Sequence, residues 1–198
     1  MGSEMCIRDS RDGARALRPQ PAVRLVVLAP LRIEALALRG LDVRRTGMGG
    51  RTADVSNGDA VAVAGFCGAA DAVLRAGDVV LADELRSGAG TRPCTASRSL
   101  ASALESRGLR VHTGPVFSAE RIAGPEERER LREDGVLAVD MESYWLAEAA
   151  GDRPLIVLRV VVDEAGRRLL HPRTLPAGVR AFRALRRAGA TLREAQLA

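Results

Sequence analysis

Apolar positions along the chain gather into short runs separated by glycine, proline and charged residues. They do not form long helical stripes. Residues 23–28, 60–64 and 79–82 are largely apolar and rich in β-branched side chains, and residues 41–46 and 109–112 are further short stretches of mixed polarity. Each reads as a strand. Residues 155–162 are apolar on both faces except at Arg159, the pattern of a strand covered on both sides. Residues 136–139 are apolar too, but so short a run does not separate a strand from a buried helix by itself. Between these runs lie segments of helical spacing. One reaches Leu38 and stops at Gly40, another spans 100–105 and ends at Gly108, and others span 125–134, 141–150 and about 177–188. Strands alternating with helices predict an α/β domain.

The best-defined unit is residues 136–166, read as strand, helix, strand. Asp140 can cap the helix, and Gly151, Asp152 and Pro154 stop it. A parallel pair joined by a helix puts both strand C-termini at one sheet edge, where open α/β sheets bind ligands. Glu142 would follow the first strand and Asp163 would close the second. With neighbouring strands about 4.8 Å apart, both carboxylates can address one small molecule. Taken singly, each has a plainer reading, as a first-turn helix Glu and a turn Asp. The pair at matched strand ends favours a site.

Composition removes several function classes. At 198 residues with 46% hydrophobic content, the chain suits one globular domain, and with aromatics at 3% its core must be built from Val, Leu and Ala. The net charge is +5, yet all 30 basic residues are Arg. That looks like the bias of a GC-rich genome, and no nucleic-acid partner is expected without aromatic interleaving. The basic residues Arg180, Arg183 and Arg187 share one helix face, read as solvated. Three cysteines without a CxxC spacing argue for a reducing compartment, so a cytoplasmic location is expected. Only two histidines, His112 and His171, are present, which leaves no metal constellation and little support for a Ser-His-Asp triad. No apolar run is long enough for a transmembrane segment. Residues 1–21 lack periodicity and read as a disordered or non-native segment outside the fold.

Other stretches carry candidate chemistry with alternatives open. Gly65-Phe66-Cys67-Gly68 reads as a turn after a strand, where glycines admit a flat ligand and Phe66 can stack on a base. A strand end with a buried Phe and an inert thiol explains it equally well. The turn at Gly47, Gly49 and Gly50 can point amides at an anion, or merely reverse the chain. Residues 125–134 read as a solvated charged helix.

Val139-Asp140-Met141-Glu142-Ser143 followed by Arg159-Val160-Val161-Val162-Asp163 resembles the purine nucleoside phosphorylase and nucleosidase superfamily. Gly65–Ala70 and the ending Pro172-Arg173-Thr174 resemble its hopanoid-associated branch, the adenosylhopane phosphorylase type. The likeness runs from Val23 to about Leu185. It implies a three-layer α/β/α domain over residues 22–198 with a central mixed sheet of about six strands. It also implies cleavage of the N-glycosidic bond of a 5′-substituted adenine nucleoside, adenosylhopane among the candidates, by phosphorolysis or hydrolysis. A 5′-methylthioadenosine/S-adenosylhomocysteine-type nucleosidase and a truncated, non-catalytic nucleoside-binding relative are the alternatives.

Carried over by resemblance, Met141 packs on the sugar and Glu142 accepts from its hydroxyls. Phe117, Ser118, Phe66 and Gly65 hold the purine. A protonated Asp163 donates to N7 and accepts from the exocyclic amine. Arg32 and Gly49 bind phosphate in the phosphorolytic version, whereas Glu34 activates water in the hydrolytic one. Two residues apart on a helix, Arg32 and Glu34 do not both face one site easily. The agreement of Arg32 with the glycine turn tips the expectation towards phosphate. No cofactor is implied, and a homo-oligomer is expected. The family helix before the third strand is missing: only residues 51–59 intervene, which predicts a weak corner.

Overall fold

The computed structural model describes residues 23–165 and 174–197. The Pro172-Arg173 part of the resemblance, His171 and residues 1–21 lie outside them. Among the described residues eight strands form one mixed sheet. They are β1 (Leu25–Ala29), β2 (Asp42–Arg45), β3 (Ala60–Ala69), β4 (Val79–Ser87), β5 (Gly90–Pro93), β6 (Val111–Ser118), β7 (Ala138–Asp140) and β8 (Leu155–Asp163). Helices α1 (Arg32–Ala37), α2 (Arg98–Ser106), α3 (Pro125–Glu133), α4 (Ser143–Leu146) and α5 (Thr174–Leu197) cover it, and a 3₁₀ turn at Ala147–Ala150 extends α4. The α/β class and the mixed sheet agree with the expectation, with eight strands in place of about six.

The sheet bends back on itself. β3 pairs with β8, β8 with β4, β4 with β6, β6 with β7, and β7 returns to β3. Closure leaves β1 and β2 as a parallel extension on the free side of β3 and β5 as a hairpin partner of β4. One apolar cluster lies between the sheet and α5, built from Val27, Leu38, Leu81, Leu158 and Leu185 among others. A second lies on the opposite side around Leu28, Val63, Leu85, Leu146 and Val157. Covered on both sides, β8 needs apolar side chains nearly throughout, as its sequence has.

Four local expectations are corrected. The two strands around residues 136–166 are not a parallel pair: β7 runs antiparallel to β3, whereas β8 runs parallel to it. Residues 65–68 are not a turn but the second half of β3. Residues 87–97, whose richness in Gly, Thr, Arg and Ser reads as a loop, contain β5. The helix expected over 141–150 begins only at Ser143. The missing helix before β3 is observed: residues 46–59 carry the chain past β1 without one.

Candidate active site

The ring closure sets the site. Gly68 of β3 is paired with Val139 of β7 and also with Asp163 of β8. Two strands of opposite direction therefore deliver their C-terminal ends to one point, and Glu142 and Asp163 meet there. The expected juxtaposition holds, but through β3 and not by direct pairing. A cavity of about 180 Å³ opens at this point, and its walls include Glu34, Phe66, Arg128, Met141, Glu142 and Asp163.

Glu34 comes from the first turn of α1. Its neighbour Arg32 is exposed, while Glu34 itself is buried. Glu34 Oε2 accepts from Leu31 N at 2.6 Å, the side-chain half of a capping box. Oε1 accepts from Phe66 N at 2.6 Å, which ties the helix to β3. Burial pushes this carboxyl above its ordinary range. Arg159 and the Phe66 and Leu31 amides pull it back, and Glu142 adds to the rise. Glu34 thus holds a proton more tightly than a surface glutamate, the character wanted in a general base. Its approach depends on Gly65, where a Cβ would collide with Glu34 Oε1 and lie 2.7 Å from Arg159 Nη1. That steric demand explains a glycine in mid-strand.

Glu142 is buried at the mouth of the short α4, and its Oε1 accepts from Gly49 N at 3.0 Å. The Gly47–Gly50 turn therefore touches the site by an amide on a carboxylate. The backbone that carries Met141 and Glu142 is pinned by Asp140. Asp140 Oδ1 accepts from Ser118 Oγ at 2.5 Å, and Oδ2 accepts from Ser143 N at 3.2 Å. Arg159 faces Asp140 from β8 and donates from Nε to Ser143 Oγ at 2.9 Å. Burial alone would push the Arg159 guanidinium down, but Asp140, Glu34 and Glu142 together hold it up, so it stays charged.

Asp163, a protonated donor by resemblance, stands beside a cation here. Its Oδ2 lies 2.7 Å from Arg128 Nη2, with both side chains largely buried. Arg128 belongs to α3, read from sequence as a solvated helix. One signal could have found it: Leu131 packs inward, and Arg128 lies one turn earlier on the same face. Arg159 had a clearer signal as the one charge within an apolar strand, but its partner Asp140 is not deducible from spacing.

Other expected residues fall elsewhere. Ser118 is buried beneath the site as the donor to Asp140 and the acceptor of Tyr144 N. Phe117 packs with Ala123, Val136 and Val139 behind the wall and does not line the cavity. Arg32, assigned to phosphate, is outside it as well, because the helix turns Glu34 inward. Leu31, Met48 and Ile122 form an apolar rim, 37%, 74% and 62% exposed. Burial pushes the thiols of Cys67 and Cys94 up, the latter to about 12, so neither is a ready nucleophile. Among the described residues no group of three or more His, Cys, Asp or Glu can hold a metal, and no helix is long and apolar enough to cross a membrane.

The sequence profile of the phosphorylase superfamily matches residues 45–193. No curated protein matches the chain. Solved structures share the fold. The 5′-methylthioadenosine/S-adenosylhomocysteine nucleosidase of Campylobacter jejuni superposes with a TM-score of 0.69 at 11% identity, covering 87% of this chain and 98% of its own. The Helicobacter pylori nucleosidase, in complex with a substituted pyrrolidin-3-ol, gives 0.67 at 15% identity, covering 89% and 98%. That of Colwellia psychrerythraea, in complex with adenine, gives 0.65 at 18% identity, covering 86% and 96%.

Proposed function

Since the chain belongs to the phosphorylase superfamily, we propose that it cleaves the N-glycosidic bond of a 5′-substituted adenine nucleoside, with water as the acceptor. The observation that carries this reading is the convergence of Glu34, Glu142 and Asp163 on one cavity while Arg32 stays outside it. Glu142 accepts from the ribose hydroxyls, Met141 packs on the sugar, and Phe66 lies along the base. Glu34 takes a proton from water as its oxygen bonds to C1′. The C1′–N9 electron pair leaves with the purine, which takes a proton from solvent and ends as neutral adenine, Glu34 returns its proton to solvent, and the sugar ends as the pentose that keeps its 5′ substituent. The apolar rim of Leu31, Met48 and Ile122 favours a hydrophobic 5′ group. A thioether substituent, as named for the structural neighbours, suits it. So does the hopanoid group that the Gly65–Ala70 motif resembles.

The choice of water over phosphate reverses the expectation drawn from Arg32 and the glycine turn. Two carboxylates beside the sugar repel a phosphate dianion, and Arg32 is not there to offset them. Exposed Ile33 and Leu36 on α1 supply apolar surface that a homo-oligomer would cover, and a cytoplasmic setting is proposed with it. A nucleoside panel run with and without phosphate tests the reading. Adenosine, 5′-methylthioadenosine, S-adenosylhomocysteine, inosine and an adenosine with a long apolar 5′ substituent form the panel. Phosphate-independent adenine release, kept in Arg32→Ala, is expected. Ribose 1-phosphate formation that needs Arg32 would make the protein a phosphorylase, and no base release from any member would leave a binding protein.

A further inference from the structure

Arg128 is fixed at the cavity wall by more than its ion pair. Nε donates to Ala123 O at 3.1 Å and Nη1 donates to Ala69 O at 3.3 Å, while Nη2 faces Asp163 Oδ2 at 2.7 Å. A guanidinium has further N–H directions beyond these, and Arg128 lines the cavity beside Asp163. Asp163 Oδ2 is buried, and its contact with Arg128 is an ion pair without an aligned hydrogen bond. Beneath the guanidinium lies Gly68, where a Cβ would come within 2.8 Å of Nη2. The glycine gives Arg128 its place against β3.

We infer that Arg128 is a base-recognising residue of this site: it donates to purine N7 while Asp163, as a carboxylate, accepts from the exocyclic amine. The inference rests on the adenine-nucleoside reading above. Adenine presents an acceptor, N7, next to a donor, the 6-amino group. A protonated carboxyl can match that pattern with its own O–H and C=O. An arginine–carboxylate pair matches it with no proton to hold, and here such a pair is already assembled. A guanidinium does not release its proton in a protein, so Arg128 stabilises charge and transfers nothing. As the C1′–N9 bond breaks, the electron pair spreads to N7 and the bond from Arg128 strengthens with it. The departing adenine then takes its proton from solvent.

The test compares adenine with 7-deazaadenine, which keeps the amine but lacks the N7 acceptor. Binding of each is measured by titration calorimetry to the wild type, Asp163→Asn, Arg128→Met and the double variant. The double variant matters because Arg128→Met alone leaves a buried carboxylate unpaired and could fail to fold. The wild type and Asp163→Asn are expected to prefer adenine by about tenfold or more, the scale of one charge-assisted hydrogen bond. Arg128→Met and the double variant are expected to bind both ligands alike. An undiminished preference in the double variant would overturn the inference, as would tighter adenine binding once Arg128 is removed, since Arg128 would then be an obstruction. Failure of the wild type to bind adenine or any adenine nucleoside would instead overturn the functional reading, and this inference with it.

Discussion

Arg159 on β8 and Asp140 at the end of β7 form a fully buried ion pair, Nη2 to Oδ2 at 2.7 Å, with side-chain exposures of 0% and 1%. The pair joins two strands that share no ladder. Asp140 in turn accepts from Ser118 Oγ and the Ser143 amide, so one carboxylate organises the turn that presents Met141 and Glu142. Arg159→Met removes the cation and leaves Asp140 uncompensated. A loss of about 3–5 kcal/mol is expected, the usual cost of breaking a buried pair from one side. Urea denaturation measures it, and a change below about 1 kcal/mol would show that water reaches Asp140.

Glu34 makes a prediction about pH. Burial raises its affinity for a proton in the folded state, so the folded chain binds more protons than the unfolded one just above the ordinary carboxylate range. Stability from this group is therefore fully present below the unfolded pKa and is lost as pH rises through the folded one. Wild-type stability should fall across that window more steeply than that of Glu34→Gln. In kinetics the same shift places the acidic limb of kcat/KM above where a surface glutamate would put it. Glu34→Gln should remove that limb and cost about two orders of magnitude or more in turnover. A limb that survives the substitution belongs to another group.

Much of this site is legible in the chain. The two acids at residues 142 and 163 follow from strand ends, and the Arg32–Glu34 rivalry follows from helical geometry, which admits one of the two. What was not legible depends on pairing between distant strands. Ring closure through β7 and β3 leaves no local trace, so Glu142 and Asp163 meet without the parallel pair that the local pattern predicts. Glycine misleads for a related reason. In Gly65–Gly68 it signals a turn by local rules, whereas here it makes room on an extended strand for Glu34 and Arg128. Arg128 is hidden because seven of the nine residues of its helix are charged and only the inward Leu131 marks the buried face.

Those two glycines should respond differently to alanine. At Gly65 the new methyl meets the Glu34 carboxylate and the Arg159 guanidinium, both held by other partners. Gly65→Ala should destabilise by about 1–3 kcal/mol, as overpacking does, and should abolish turnover by displacing Glu34. At Gly68 the methyl meets only the guanidinium of Arg128, the far end of a long side chain that can give way at the cost of its bonds to Ala69, Ala123 and Asp163. Gly68→Ala should keep most stability and weaken adenine binding instead. Thermal melts and calorimetry on the two variants separate these outcomes, and equal losses of stability would show that Arg128 is as rigidly held as Glu34.

The crossing at residues 46–59 makes the last prediction. It is irregular chain, tied at its ends by Thr46 N to Ala29 O and Asp59 N to Arg24 O, and between them Arg51 lies over the Trp145 ring and pairs with Glu120. Val55 is buried against the core, and Arg153 donates from Nη1 to the carbonyls of Val55 and Gly58. At the other end Gly49 N donates to Glu142 Oε1. By contrast β8 is laddered to β3 on one side and to β4 on the other. Local opening of the crossing therefore breaks few bonds, while opening of β8 breaks the ring. Amide exchange over residues 47–54 should be fast relative to β8. Gly49 and Gly50 should be the exceptions within that stretch, slowed by their bonds to Glu142 Oε1 and Gly47 O, and Glu142→Ala should speed Gly49 while β8 stays protected. Strong and equal protection in both segments would mean that the shortened crossing is as firmly held as the core strand.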